Sequence, residues 1–284
     1  MSDVAADAAR LAKLALAEDG PLDLTTEVTV PPGAQGWARI EFREPGVFAG
    51  SVYADAVARA AGLGPIEWQA ADGDRLEAAA VVGRLAGNVR WLLRAERPLL
   101  NLLQRASGIA TLTRRFVDAV RGTPARILHT RKTAPGLRLL DVTGVLAGGG
   151  CEHRLDLTRI VMVKDNHWRA LRTSRRSLAD ALAEARRRGA ISCYVEVETL
   201  EQVEEACRAG ANRLLVDNQP AETLRWWAER ARRLAPGIEI EATGGITLAN
   251  VRSYAEAGAD WISVGALTHS VAAADISLEV EEGG

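Results

Sequence analysis

From about residue 120 onward, short β-branched runs alternate with amphipathic helical stretches, and this rhythm constrains the chain more than any other feature. Runs at 126–129, 159–163, 193–197, 213–216, 238–241 and 261–264 read as strands. Between them, 177–188, 200–209, 221–234 and 248–257 carry apolar residues at helical spacing. Gly210, Gly237 and Gly258 stand where helices should stop. Strands recurring at the period of βα units predict a parallel sheet. A doubly wound open sheet has the same period, but no GxGxxG turn follows an early strand. Polar residues follow several strands directly, and barrel enzymes keep their chemistry at strand C-terminal ends. The expected fold is α/β, built on a parallel barrel.

The first hundred residues follow another pattern. A helical segment at 4–17 leads into a turn-rich entry at 18–23, then strand-like runs at 38–42 and 81–85 with a helix near 52–61. Loop signals are dense at 31–33, 44–46 and 72–74. This predicts a separate α+β module, with the boundary inside the helical stretch 95–120. Residues 1–108 form the expected first domain and 109–270 the barrel. The alternating stretch 275–280 places 271–284 back on the first domain.

Composition narrows the function classes. A formal net charge of -2 gives no reason to expect nucleic acid or a membrane surface as partner, so functional positive charge must be local. Cys151, Cys193 and Cys207 show neither a CxxC pair nor metal-ligand spacing, as free thiols in a reducing compartment would. Asp3, Asp7 and Arg10 interrupt the N-terminal Ala/Leu pattern, unlike a signal peptide. No run approaches the ~18 apolar residues of a membrane span. A cytoplasmic location is expected.

The predicted strand ends share one arrangement, a polar residue or glycine just past an apolar run. In order these are Arg131-Lys132, Lys164-Asp165-Asn166-His167, Glu196 with Glu198, Asp217-Asn218, Thr243-Gly244-Gly245, and Gly265. Gly148-Gly149-Gly150 with His153-Arg154 falls between the first two. Arg131, Lys132, His153, Arg154 and Lys164 would make a cationic pocket for carboxylates and phosphates. Glu196 and Asp217, on neighbouring strands, suit one Mg²⁺ whose shell is completed by water and substrate phosphate. Thr243-Gly244-Gly245 ahead of the 248–257 helix offers backbone N–H groups to a phosphate, with Gly265 allowing close approach. Each piece alone has a plainer reading: a solvated Arg-Lys pair, a solvated strand face, a tight turn, an exposed loop. Their coincidence on one repeat system points to a phosphate-handling barrel enzyme.

The words themselves resemble a known family. They are Glu96-Arg97-Pro98-Leu99-Leu100-Asn101, Gln104-Arg105-Ala106-Ser107-Gly108-Ile109-Ala110-Thr111, Thr130-Arg131-Lys132-Thr133-Ala134-Pro135-Gly136-Leu137-Arg138 and Gly148-Gly149-Gly150-Cys151-Glu152-His153-Arg154. Further words are Val163-Lys164-Asp165-Asn166-His167, Val195-Glu196-Val197-Glu198, Val216-Asp217-Asn218, Gly244-Gly245-Ile246-Thr247, Ile262 through Thr268, and Asp23-Leu24-Thr25-Thr26. From about residue 10 to 280 the chain resembles quinolinate phosphoribosyltransferase, the carboxylating nicotinate-nucleotide pyrophosphorylase family.

The resemblance implies an N-terminal α/β sandwich, an incomplete seven-stranded α/β barrel, and a homodimer whose subunits share active sites. It implies phosphoribosyl transfer from phosphoribosyl pyrophosphate (PRPP) to quinolinate with loss of CO₂. Arg97 would reach the neighbouring subunit's site. Arg131, Lys132, His153 and Arg154 would hold substrate carboxylates. Lys164, Glu196 and Asp217 would handle PRPP and Mg²⁺, with Lys132, Lys164, Glu196 and Asp217 as the catalytic set. Thr243, Gly244, Gly245 and Gly265 would take the ribose 5-phosphate. Four positions depart from the family pattern: Val142-Thr143 in place of a Lys-Tyr type pair, Thr243 for serine, Gln219 after Asp-Asn, and Leu22 for glycine. The alternatives are a molybdenum-associated paralogue, which lacks the Lys-Asp-Asn-His word, a pathway-specific enzyme for a modified pyridine acid, and a non-catalytic phosphoribosyl-binding sensor. The retained Glu196 and Asp217 argue against the sensor.

Overall fold

The computed structural model describes residues 2–282; residue 1 and residues 283–284, included in the expected first domain and its returning segment, lie outside the described part. In chain order the elements begin α1 (Ser2–Glu18), α2 (Leu24–Thr29), β1 (Gln35–Phe42), β2 (Gly46–Val47), α3 (Ser51–Ala60), β3 (Glu67–Trp68), β4 (Arg75–Leu76), β5 (Val81–Asn88) and α4 (Val89–Ala119). They continue β6 (Arg126–Leu128), α5 (Arg138–Ala147), β7 (Ile160–Val163), α6 (Asp165–Thr173), α7 (Leu178–Arg187), β8 (Ser192–Val197), α8 (Leu200–Arg208) and β9 (Arg213–Asp217). Last come α9 (Ala221–Leu234), β10 (Glu239–Thr243), α10 (Val251–Glu256), β11 (Trp261–Ser263), α11 (Ala266–His269) and β12 (Ile276–Glu282). Two compact units result. One takes the chain up to Arg114, Thr133–Gly149 and the chain from Leu267; the other takes Arg115–Lys132 and Gly150–Ala266.

The first unit is built on an antiparallel sheet of order β12-β1-β5-β3. Along β1, Ala38, Ile40 and Phe42 are buried, alternating with Arg39 and Glu41, as the two-residue side-chain period of a one-sided sheet requires. Ala8 and Leu11 of α1, Tyr53 and Val57 of α3, and Leu92, Leu99, Leu100 and Leu103 of α4 complete the core. Each fully buried leucine contributes roughly 1.5–3 kcal/mol. Packing explains the Gln104–Thr111 word. Ser107 Oγ accepts from the Ala49 amide at 3.1 Å, Thr111 Oγ1 accepts from the Val47 amide at 2.8 Å, and Gln104 Nε2 donates to the Ile276 carbonyl at 2.8 Å. At Gly108 a β-carbon would lie 3.1 Å from the Ala273 Cα and the Ala274 amide nitrogen, so only glycine lets residues 272–274 cross the helix. These residues stitch the unit together.

The second unit is a parallel sheet of order β6-β11-β10-β9-β8-β7, with a one-residue parallel bridge from Leu128 to Cys151 on the outer side of β6. The sheet has six paired strands; the bridge adds one residue pair beside β6 without forming a further strand, and β7 is paired only with β8 among the described residues. The strands are short apolar runs because both faces are covered. Alternate residues form sets: Tyr194 and Glu196 on β8, Arg213, Leu215 and Asp217 on β9, Glu239, Glu241 and Thr243 on β10, Trp261 and Ser263 on β11. The parallel registers bring Leu215 beside Glu196 and Glu241, and Thr243 beside Asp217, so these sets stack in layers. Among the described residues, no helix is long and apolar enough to cross a membrane.

Candidate active site

The strand C-terminal ends of the parallel sheet open on a cleft of about 600 Å³, within the usual range for small-molecule sites. Arg131, Lys132, His153, Arg154, Lys164, Glu196, Asp217, Thr243, Gly244 and Gly245 all line it. Gly265 follows β11 by two residues but is not among the lining residues. Arg97 lies on α4 in the other unit, exposed, with its guanidinium on Glu96 at 2.8 Å.

Charge is sorted across the cleft. Arg131 and Lys132 follow β6, and Arg154 follows the Cys151 bridge beside it. Arg131 buries its Nε with no hydrogen-bond partner, and Arg154 donates through Nη1 to the Ile160 carbonyl at 3.4 Å. Neither pairs with a carboxylate among the described residues. Burial, and then the Arg131 charge, pull the Arg154 pKa below the ordinary arginine value, with Glu241 opposing them. Arginine stays charged regardless. The two guanidinium groups are therefore a partly buried cationic pair suited in charge to an anion.

The acids stand on adjacent strands. Glu196 is the penultimate residue of β8, its carboxylate almost buried and ion-paired to Lys164 Nζ. The Lys164–His167 word marks a strand end that turns directly into α6. There His167 Nδ1 accepts the Lys164 amide at 3.0 Å, and Trp168 Nε1 donates to the Glu196 carbonyl at 2.8 Å. Asp217 ends β9 and accepts from Asn218 Nδ2 at 2.7 Å. Asn218 holds a left-handed φ of 51° and donates its amide to the Thr243 carbonyl at 3.0 Å.

The glycine loop meets the same side chain. Gly244 and Gly245 have φ of 81° and 61°, and a β-carbon on Gly244 would come 2.5 Å from Asn218 Cγ. The helix expected over 248–257 is shorter, starting at Val251, because the Asn250 side chain folds the intervening loop. Its Oδ1 takes the Thr247 amide at 2.8 Å and its Nδ2 donates to the Gly245 carbonyl at 3.0 Å. Backbone amides available at this strand end are then those of the loop with its two left-handed glycines, rather than those of a helix first turn.

Sequence reasoning missed a charged layer beneath the cleft. Glu241 is fully buried, accepting from Ser263 Oγ at 2.5 Å and Arg213 Nη1 at 3.0 Å and facing His153 Nε2 at 3.3 Å. Burial alone would raise its pKa; the His153 hydrogen bond, the Arg213 charge and Ser263 together outweigh burial and hold it below the ordinary glutamate value. His129, also buried, lines the cleft and accepts the His153 amide through Nε2 at 2.9 Å. The signal available was strand parity. Arg213 and Glu241 share faces with Asp217 and Thr243 at intervals of two.

Residues 23–107 match the profile of the quinolinate phosphoribosyl transferase N-terminal domain, and residues 109–279 match that of its C-terminal domain. The chain belongs to the quinolinate phosphoribosyl transferase family. It is 41% identical over 288 residues to "Nicotinate-nucleotide pyrophosphorylase [carboxylating]" of Mycobacterium leprae, spanning 99% of this chain and 100% of that one. Identity to the chloroplastic Arabidopsis thaliana protein of the same name is 38% over 287 residues, covering 95% and 81%. The structure of the Francisella tularensis nicotinate-nucleotide pyrophosphorylase superimposes with a TM-score of 0.88 at 31% identity, covering 98% of this chain and 97% of that one.

Of the departures in this quinolinate phosphoribosyl transferase family member, Val142, Leu22 and Gln219 are not among the residues that line the cleft, whereas Thr243 is. Val142 is buried in α5 of the first unit, and Leu22 is an exposed residue of the same unit. Gln219 turns back, its Nε2 on the Asp217 carbonyl at 3.3 Å and its carbonyl accepting from Tyr254 Oη at 2.9 Å. Thr243 lines the cleft and keeps the hydroxyl.

Proposed function

We propose that this chain transfers phosphoribose from PRPP to quinolinate and decarboxylates the product, giving nicotinate mononucleotide, CO₂ and pyrophosphate for NAD biosynthesis. One observation carries the reading: an arginine pair with no carboxylate partner among the described residues, two acids and a tandem left-handed glycine loop line a single cleft. The arginine pair matches a dicarboxylate in charge and fork geometry. The loop amides suit the ribose 5-phosphate. Because Val142, Leu22 and Gln219 lie off the cleft wall, the wall itself supplies no reason to prefer a modified pyridine acid.

Arg131, Lys132 and Arg154 bind the acid, with His153 bracing the turn that carries Arg154, so that the ring nitrogen of the acid faces the anomeric carbon. Lys164 and Glu196, ion-paired across the mouth, orient PRPP. Departure of pyrophosphate builds oxocarbenium character, and fixed charges stabilise it without reorganising. The nitrogen lone pair forms the new C–N bond as the C–O bond to pyrophosphate breaks. The resulting pyridinium accepts the electron pair left at C2 when CO₂ departs, and C2 then takes a proton. Orientation and exclusion of water are the protein's part of that step. Glu196 and Asp217 fit Mg²⁺: they are hard oxygen donors on adjacent strands. No cluster of three or more metal-ligating side chains exists among the described residues, so such an ion would share its shell with substrate. Bound there, Mg²⁺ would neutralise charge on the pyrophosphate.

The active form in this proposal is a cytoplasmic homodimer, with exposed Arg97 completing the partner's site. Purified protein supplied with quinolinate, PRPP and Mg²⁺ should release CO₂ and form nicotinate mononucleotide. Turnover of a substituted pyridine dicarboxylate but not quinolinate would transfer the assignment to a pathway-specific enzyme, and binding without turnover to a sensor. Lys132→Ala and Glu196→Ala should each remove most activity with the circular dichroism spectrum retained. Mixing Arg97→Ala with Lys132→Ala subunits should restore activity; inactive mixed dimers would rule out the shared site.

A further inference from the structure

Glu241 has no part in the chemistry above, yet both of its oxygens are engaged. Oε1 accepts from Ser263 Oγ at 2.5 Å; Oε2 accepts from Arg213 Nη1 at 3.0 Å and faces His153 Nε2 at 3.3 Å. Arg213 is held rigidly, with Cζ 4.4 Å from the Tyr194 ring centroid and 4.6 Å from that of Trp261, and a second bond to Glu239 at 2.8 Å. A buried carboxylate fixed on so many sides can set the state of an imidazole partner on the cleft wall.

That partner is His153. The Arg154 amide donates to His153 Nδ1 at 2.7 Å, and a ring nitrogen that accepts an N–H carries no proton. The imidazole proton therefore sits on Nε2, the nitrogen that faces Glu241. Both nitrogens being engaged, the ring has no donor to offer a substrate carboxylate. It braces the turn that carries Arg154, whose preceding amide, that of His153, is in turn held by His129 Nε2 at 2.9 Å. We propose that Glu241 is a positioning residue that fixes the Nε2-protonated tautomer of His153 and so aims Arg154 at a carboxylate of the acid substrate. This rests on the assignment of a pyridine dicarboxylate to the cleft.

Charge matters here, not shape alone. A glutamine at 241 keeps its oxygen on Arg213 and turns its amide to Ser263 Oγ, so His153 Nε2 loses the anionic acceptor that holds its proton. Glu241→Gln should raise KM for quinolinate about tenfold or more while KM for PRPP stays within about twofold; outer partners that orient functional histidines carry effects of roughly 10–100-fold in metal sites. In a double-mutant cycle, Glu241→Gln should add less than about twofold to the loss caused by His153→Ala, since its effect passes through that ring. Additive losses, or equal rises in both KM values, would overturn the proposal. Nitrogen-15 NMR of the wild-type histidines, with His153 assigned by its absence in His153→Ala, needs no glutamine variant to fold. It should show His153 protonated on Nε2, and an Nδ1-protonated or averaged ring would overturn the proposal. A wild-type chain that fails to turn over quinolinate would refute the function while leaving this tautomer test intact.

Discussion

Replacing Gly244 with alanine tests whether Asn218 couples the glycine loop to Asp217. The φ of 81° costs an L-residue roughly 1–2 kcal/mol. The added β-carbon would also lie 2.5 Å from Asn218 Cγ and 2.8 Å from its Nδ2, so the side chain must move. Moving it breaks the 2.7 Å bond to the Asp217 carboxylate, a charged hydrogen bond of about 1.5–3 kcal/mol. Gly245→Ala is the internal control. Its φ is 61°, but the nearest atom to a new β-carbon is 3.9 Å away, leaving only the backbone cost. The second contribution alone separates the two variants and corresponds to about ten- to a hundredfold in kcat/KM. Initial rates with PRPP varied at saturating quinolinate, alongside thermal melts to remove folding losses, would measure it. Equal losses in the two variants would refute the coupling, as would a Gly244→Ala defect seen only with the acid substrate.

Two further outcomes follow from buried titratable groups. Burial raises the pKa of both Cys193 and Cys207, so a neutral-pH alkylating agent should label neither in the native protein; mass spectrometry showing rapid labelling at either would contradict their placement. Glu241 has its pKa held below the ordinary 4.5, so its ionised form contributes stability above that pH, lost as pH falls through the lower folded-state value. The melting-temperature gap between wild type and Glu241→Gln should be full at neutral pH and shrink below about pH 4.5. A gap that widens in acid would reverse the sign and the argument.

How much could be read without coordinates depended on whether the forces were local. The βα rhythm was legible because each buried strand is an apolar run and each covering helix has a 3.6-residue stripe. Arg131-Lys132, Lys164, Glu196, Asp217 and Thr243-Gly244-Gly245 stood out because they interrupt those runs at the strand ends that line the cleft. Elements α5 and α6 escaped, the latter because Asp165-Asn166-His167 reads as a loop until His167 is seen accepting the Lys164 amide. The two-residue strands β2, β3 and β4 are too short to carry any period.

Strand parity in the sequence already put Glu241 on the face of Thr243, and Arg213 on that of Asp217. Their meaning did not exist there, because a buried carboxylate is defined by what neutralises it. Arg213 comes from the neighbouring strand, Ser263 from the strand on the other side, and His153 from a loop 88 residues upstream. The same holds for the departures: Val142 and Gln219 were visible as unusual letters, but only packing shows that one is core and the other turns away from the cleft. Sequence alone determined the repeat, the strand ends and the residue types available for phosphate and carboxylate chemistry. Tertiary structure decided which charges are paired, which arginines are left without a carboxylate, and on which nitrogen His153 holds its proton, since each depends on groups brought together across long stretches of chain.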